Sequence, residues 1–183
     1  MRLFIVAEEN MLNPLHFNSR TYFFIGFLIC CSLLLIGAYL QFEKKLEPCP
    51  LCISQRIAIF ATGLCFLCAA IHNPKQQSTN IYAILGAVLA LCGAGVSMRH
   101  IWLQHLPPDK VPECSPGLEY IFQNFPLSNT IKLMLNGTGE CAKIDWTLLG
   151  FSIPELTLAA FLALAALSIA QIWNRPKRSV FYG

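Results

Sequence analysis

Four stretches without charge, each about as long as a membrane-spanning helix, constrain this chain more than any other feature of its sequence. A helix crosses the hydrocarbon core of a bilayer in ~20 residues. Thr21 to Phe42 contains no ionisable group other than Tyr and Cys. Leu51 to Ile71 carries one charge, Arg56, near its start. Ile81 to Met98 is charge-free and runs into Arg99 and His100, and Glu155 to Trp173 is charge-free after its first residue. Composition agrees: hydrophobic residues make up 55% of the 183 and charged residues 13%, about half the ~25% typical of a soluble domain. Mean hydropathy is +0.54. These values argue against a soluble enzyme and against a disordered chain. A net charge of +3 with no clustered basic face argues against a nucleic-acid binder. The expected fold is an all-α membrane protein, a four-transmembrane-helix bundle with both termini on one side.

The expected organisation is a polar N-terminal segment over 1–20, the helical bundle over 21–175 and a basic tail over 176–183. The first span is too long for a secretory signal and continues into Gln41-Phe42-Glu43-Lys44, so it is expected to be a retained helix. The fourth opens on Ser152-Ile153-Pro154-Glu155, a capping box with Ser152 as N-cap. Pro154 does not break this helix, because it falls in the first turn, where amides have no helical partner. Trp146 and Trp173 bracket the span like interfacial anchors. Short connections join the first three spans, and a long loop, about 103–150, joins the third to the fourth. Pro107-Pro108, Pro112 and Pro116 keep its first part extended. Leu127, Ile131, Met134 and Leu135 have helical spacing and suit a helix lying flat on the membrane surface. Charge gives little orientation: the terminal side carries Arg2, Arg20, Lys75, Arg175, Lys177 and Arg178, the other side Lys44, Lys45, Lys110, Lys132 and Lys143. The basic tail favours cytoplasmic termini, and Lys44 and Lys45 argue the other way.

The nine cysteines divide sharply. Cys49, Cys52, Cys114 and Cys141 fall in the two loops on the non-terminal side, while Cys30, Cys31, Cys65, Cys68 and Cys92 fall within helices. Cys49-Pro50-Leu51-Cys52 stands where a loop becomes a helix. Helix N-terminal amides and the macrodipole stabilise a thiolate at such a place. Arg56 follows Cys52 by four residues and shares its helical face. A cation one turn inside a membrane is costly unless it has a partner; a thiolate or an electron-rich ring taking up charge would serve. A stapling disulfide with a snorkelling Arg56 is the plainer alternative. Cys114 and Cys141 either close the long loop as a structural disulfide or, beside a second dithiol on the same face, form the other half of a thiol–disulfide relay. Structural zinc usually takes two Cys-x-x-Cys knuckles, and only one loop pair has that spacing, so no structural metal is expected. Cys65-Phe66-Leu67-Cys68 repeats the spacing, but Cys65 lies ~18 Å along its helix at 1.5 Å per residue. It is expected, with the other helical cysteines, to be apolar packing. Arg99 and His100 end the third span on the side of the reactive loops. They serve either as an interfacial cap or in binding and protonating an acceptor near Cys52. Asn136-Gly137-Thr138 matches a glycosylation sequon.

In motif, order and topology together the chain resembles the DsbB family of bacterial inner-membrane disulfide-formation proteins. Cys-Pro-Leu-Cys-Ile-Ser-Gln-Arg, Cys49 to Arg56, is similar to that family's first-loop motif. Glu140-Cys141-Ala142 followed by Trp146 and Leu149-Gly150 is similar to the end of its second loop. The likeness runs over about 20–175. It implies a protein-disulfide:quinone oxidoreductase that reoxidises a periplasmic DsbA-like thiol oxidase and passes the electrons to ubiquinone or menaquinone in the membrane pool. It implies that Cys114 takes the mixed disulfide with the partner. Cys114 and Cys141 then exchange with Cys49 and Cys52 through a Cys49–Cys141 bridge. Cys52 faces the quinone, Arg56 stabilises the resulting anion, and Arg99 or His100 assists. Because a cytosolic thiol pool keeps exposed dithiols reduced, the cysteine loops are expected in the periplasm and the termini in the cytoplasm. The rival readings are a family paralogue with one dedicated partner, a non-catalytic tetraspan braced by loop disulfides, and a reductase resembling the vitamin-K-epoxide family. In the last of these the quinone-facing Cys-x-x-Cys comes late in the chain, unlike here.

Overall fold

The computed structural model describes residues 19–72, 76–112, 126–144 and 146–173. The readings made for 1–18, for the basic tail, for Cys114 and for Pro116 lie outside these residues. Among the described residues four helices are long and apolar enough to cross a membrane: α1 (Ser19–Glu43), α2 (Pro50–His72), α3 (Gln76–Gln104) and, last in the chain, α5 (Ile153–Trp173). Helices satisfy every internal backbone group within themselves, which hydrocarbon demands. Their outer surfaces stay apolar, with Leu35, Phe42, Phe60, Ile71 and Trp173 exposed, as suits a surface solvated by lipid.

Packing rather than hydrophobic exclusion has to hold such helices together, and it favours small residues at the contacts. α2 packs against α1 on one side and α3 on the other, and α3 packs along α5. The buried core joins Phe23, Phe66, Phe161 and Leu164 with Ala83 and Ala90. The Phe66 ring is seated between two glycines: a Cβ on Gly26 would stand 2.6 Å from Phe66 Cδ2, and one on Gly86 2.5 Å from Phe66 Cε1. Cys30 and Cys65 are buried, Cys31 is half-buried, and Cys68 and Cys92 are exposed on the outer surface of the bundle.

Three boundaries differ from the sequence reading. α3 does not stop at Arg99 and His100 but runs on to Gln104. His100 is buried and Arg99 finds partners, so neither needs to leave the helix. α3 also begins earlier, at Gln76, which shortens the connection from α2. Before α5 the chain forms a two-residue antiparallel hairpin, β1 (Thr147–Leu148) with β2 (Phe151–Ser152), pairing Thr147 with Ser152 and Leu148 with Phe151. Its turn residues Leu149 and Gly150 have φ of 54° and 88°, the mirror-image turn that matches strand twist. The helix expected in the middle of the long loop is present as α4 (Leu127–Asn136), with Met134 buried and Ile131 and Leu135 exposed.

The start of α5 follows its capping signal. Glu155 Oε2 accepts the Ser152 amide at 2.7 Å and the Ser152 hydroxyl at 3.1 Å. The glutamate half of the box therefore binds both Ser152 donors, and Pro154 sits buried in the first turn.

Candidate redox-active site

The site is built where α1 ends and α2 begins. Lys45, at φ 52°, turns the chain out of α1 in the left-handed conformation common just past a helix end. α2 then opens with Cys49 in the N-cap position and Pro50 at the first helical residue, where a missing amide costs nothing. The Cys49 carbonyl accepts the Ile53 amide at 3.1 Å, and the Cys49 sulfur accepts the Cys52 amide at 3.4 Å. One turn of helix thereby brings the two sulfurs to 3.3 Å. At this separation the two sulfurs are not bonded to each other, and their placement is that of a dithiol.

Cys141 arrives from the long loop. It sits in a 3-10 turn, Gly139–Ala142, with its amide donating to the Thr138 carbonyl at 2.9 Å. Cys49, Leu51, Leu103 and Cys141 form one buried cluster, in which the last three are 0% exposed. Gly137 makes that docking possible. Its φ is +77°, and a Cβ there would drive into Leu103 Cδ1 and stand 2.8 Å from Leu51 Cδ1. Gly137 and Thr138 are both buried while Asn136 is exposed, so two of the three residues of the sequon Asn136-Gly137-Thr138 are folded into the site.

The thiols influence one another. Cys141 beside it favours the Cys49 thiolate, but sharing with Cys52 and burial oppose it, and the Cys49 thiol is pushed up to about 12. Cys141 is raised further above the ordinary thiol range, first by its hydrogen bond with Cys49 and then by burial. Cys49 and Cys141 therefore favour their protonated forms in this arrangement.

His100 closes the other side. Its Nε2 lies 3.7 Å from Cys49 Sγ and its Nδ1 3.5 Å from the Gln55 amide nitrogen. Gln55 is a further site residue, and one that the sequence reading missed. Its signal was a polar side chain three residues past Cys52, hence on the same helical face. Arg56 reaches across to α1, where Nη2 donates to the Gly37 carbonyl at 2.8 Å and Nη1 donates to Gln41 Oε1. Both acceptors are neutral, so they hold the guanidinium in place without cancelling its charge.

Cys49, Cys52, Gln55, Arg56 and His100 all line one cavity of about 260 Å³, whose other walls are mainly apolar and include Leu33, Ile59 and Trp146. This volume lies just below the roughly 300–1,000 Å³ of typical ligand pockets; it suits a single ring rather than an extended cofactor. Trp146, expected as an interfacial anchor, thus stands in the cavity wall. Arg99 does not reach it. Its guanidinium lies 4.3 Å from the centre of the Trp102 ring and donates to the Asn136 carbonyl at 3.4 Å. That contact ties α3 to the end of α4. Of the predicted site residues the structure gathers Cys49, Cys52, Cys141, Arg56 and His100 and leaves Arg99 outside, while Cys114 lies outside the described residues.

The model of the family "Disulfide bond formation protein DsbB" matches residues 19–171. A protein of Methylococcus capsulatus named "Disulfide bond formation protein B" is 57% identical over 157 residues, covering 86% of this chain and 96% of its own length. Proteins of the same name from Nitrosococcus oceani and Hahella chejuensis are 50% identical over 155 residues and 49% identical over 164. These matches cover 85% and 90% of this chain, and 92% and 99% of the relatives.

Proposed function

The chain belongs to the DsbB family of disulfide bond formation proteins, and from that membership we propose that it takes electrons from a DsbA-like thiol oxidase and delivers them to a membrane quinone. One observation carries this reading. Three thiols, Cys49, Cys52 and Cys141, meet beside a cavity whose wall presents Arg56, held by two neutral acceptors, Gly37 and Gln41. The proposed setting is the bacterial inner membrane, with the cysteine loops periplasmic and the termini cytoplasmic. The proposed redox domain is 21–175, with the segments 1–20 and 176–183 on the cytoplasmic side.

The relay balances as two-electron thiol exchange. A partner thiolate attacks Cys114 of the Cys114–Cys141 disulfide, and the electron pair of the broken bond leaves on Cys141. The partner's second thiolate attacks its own sulfur in the mixed disulfide, so the partner departs oxidised and the pair leaves on Cys114. Cys141 then attacks Cys49 of the Cys49–Cys52 disulfide, placing the pair on Cys52. Attack of Cys114 on Cys141 restores the loop disulfide and releases Cys49. The buried approach of Cys141 to Cys49 supports that order.

A bound quinone supplies a two-electron, two-proton acceptor. The residues present fit it: the cavity is ring-sized and apolar, and its cation still has donors beyond the two engaged on α1. Cys52 holds the electron pair at the cavity wall. Arg56 sets positive charge where oxygen gains negative charge. His100 places a ring nitrogen 3.7 Å from Cys49 Sγ, where it can take or give a proton. Arg99 is assigned to anchoring the loop and not to the acceptor.

The direct test follows quinone absorbance when reduced DsbA-like partner is added to the purified protein in detergent. Wild type is expected to reduce quinone, and Cys52→Ala and Cys114→Ser are not. Loss in Cys52→Ala alone would move partner entry away from Cys114. Failure of the wild type, with active partner and acceptor, would overturn the reading. A quieter test concerns the grip on Arg56. Gln41→Leu removes one acceptor of a charged donor, a bond worth roughly 1.5–3 kcal/mol. The apparent quinone affinity is expected to fall about tenfold, with partner exchange intact; an unchanged affinity would detach Gln41 from Arg56 in function.

A further inference from the structure

The reduced site has a geometry that thiol exchange does not require. Cys49 Sγ, Cys52 Sγ and His100 offer three ligand atoms that all lie within 4.8 Å of one another. Two of the edges are 3.3 Å between the sulfurs and 3.7 Å from Cys49 Sγ to His100 Nε2. With metal–sulfur bonds of about 2.3 Å and metal–nitrogen bonds of about 2.0–2.1 Å, a tetrahedral zinc site has ligand–ligand edges of roughly 3.5–3.8 Å. The three atoms therefore already stand near the corners that a small soft cation needs. Cys141 packs into the same buried cluster as Cys49 and is the nearest source of a fourth corner.

The surroundings of the histidine fit as well. A histidine ligating through Nε2 must carry its proton on Nδ1, and such protons are normally held by an acceptor. Gln55 lies 3.5 Å from Nδ1, and turning its amide over presents the carbonyl oxygen there. The site is buried and apolar-walled, which strengthens a metal–thiolate bond against competing water.

We propose that the reduced dithiol is a binding site for a thiophilic divalent cation of the zinc type, held by Cys49, Cys52 and His100 with Cys141 as fourth ligand. Binding forms three metal–sulfur bonds and one metal–nitrogen bond and releases three thiol protons, with no change of oxidation state. The Cys49–Cys52 disulfide has no thiolates to offer, so the cation distinguishes the two redox states and holds the protein in the reduced one. It acts as an inhibitor that withdraws the dithiol from exchange. The inference uses only the positions of the ligands and stands whichever oxidant the dithiol serves.

The experiment titrates the full-length protein in detergent with Co²⁺, then displaces it with Zn²⁺. The reduced protein is expected to bind one equivalent, with a sulfur-to-cobalt charge-transfer band and the strong visible bands of tetrahedral cobalt; the oxidised protein binds none. Cys52→Ser is expected to abolish the charge-transfer signal of the site. His100→Ala and Gln55→Leu are each expected to weaken binding at least about tenfold. Cys68→Ser, on the outer surface, leaves it unchanged. A measurement without substitutions guards against misfolded variants: Zn²⁺ should slow alkylation of Cys49, Cys52 and Cys141 in the unaltered reduced protein, read site by site by mass spectrometry, and spare Cys68. Absence of binding, equal binding by the oxidised protein, or unslowed alkylation of Cys49 and Cys52 would overturn the proposal. Loss of quinone reduction with metal binding preserved would strike the relay instead.

Discussion

Arg56→Ala is expected to lower quinone turnover about 10- to 150-fold while leaving disulfide exchange with the partner nearly untouched. The magnitude follows from the geometry. Arg56 is one turn inside α2, fixed by the Gly37 carbonyl and Gln41, and its charge is not met by either. A charge-assisted contact of this kind is worth roughly 1.5–3 kcal/mol, and each 1.4 kcal/mol is about tenfold in rate. Arg56→Lys should recover only part of the loss, since an ammonium keeps the charge but not the planar fork that spans two acceptors. The two effects separate by experiment. Quinone absorbance reports the first, and mixed-disulfide formation with a partner bearing one thiol reports the second. Equal damage to both steps would mean that Arg56 supports the fold of α1 and α2, not the acceptor. Unchanged turnover would remove it from the mechanism.

Gly137→Val is expected to break the relay in the middle. The left-handed backbone costs a residue with a Cβ roughly 1–2 kcal/mol, and overpacking a filled contact costs typically 1–3 kcal/mol more. Here the Cβ would press on Leu103 and Leu51, the floor on which Cys141 rests. Because the loop can lift while the bundle stays folded, the penalty falls on docking. Exchange between Cys141 and Cys49 should slow by about two orders of magnitude. The Cys49–Cys52 dithiol should still be oxidised by quinone when reduced chemically. Formation of a Cys49–Cys141 disulfide under an added thiol oxidant such as diamide, in a Cys52→Ser, Cys114→Ser background, gives the direct readout, and formation as fast as with Gly137 intact would refute its docking role.

Much of this was visible in the residues because membrane spans and thiols are read from composition and spacing. Absence of charge marked all four spanning helices, and the loop-to-helix step at Cys49-Pro50-Leu51-Cys52 marked the dithiol. Charge was a poor guide to where α3 ends. It stops the span at Arg99, whereas the backbone continues to Gln104, since His100 is buried against thiols and Arg99 rests on Trp102 and a loop carbonyl. The thiols and the Asn136 carbonyl come from other elements and leave no local mark, whereas Trp102 is three residues on in the same helix. Gly37 and Gln41 were illegible for the same reason. They belong to an apolar helix, and only its packing against α2 aims them at Arg56. The Thr147–Ser152 hairpin lacks the Asn-Gly or Asp-Gly turn that advertises such units, and its Leu149 takes the left-handed conformation instead.

The seat of Phe66 bears on which motions the bundle can make. A helix that slides by one residue moves 1.5 Å along its axis. The ring contacts Gly26 of α1 on one edge and Gly86 of α3 on the other, with no space for even one added carbon. Any slip in register would drive a side chain of a neighbouring residue into the aromatic ring, so α1, α2 and α3 are locked axially at this level. Piston-like strokes are thereby closed to the bundle. Rearrangement during turnover must then be confined to the segments beyond the helix ends, with the buried framework acting as a stationary mount for the dithiol. Changes in bilayer thickness should accordingly tilt the three helices as one body and leave the spacing between Cys52 and Arg56 unaltered.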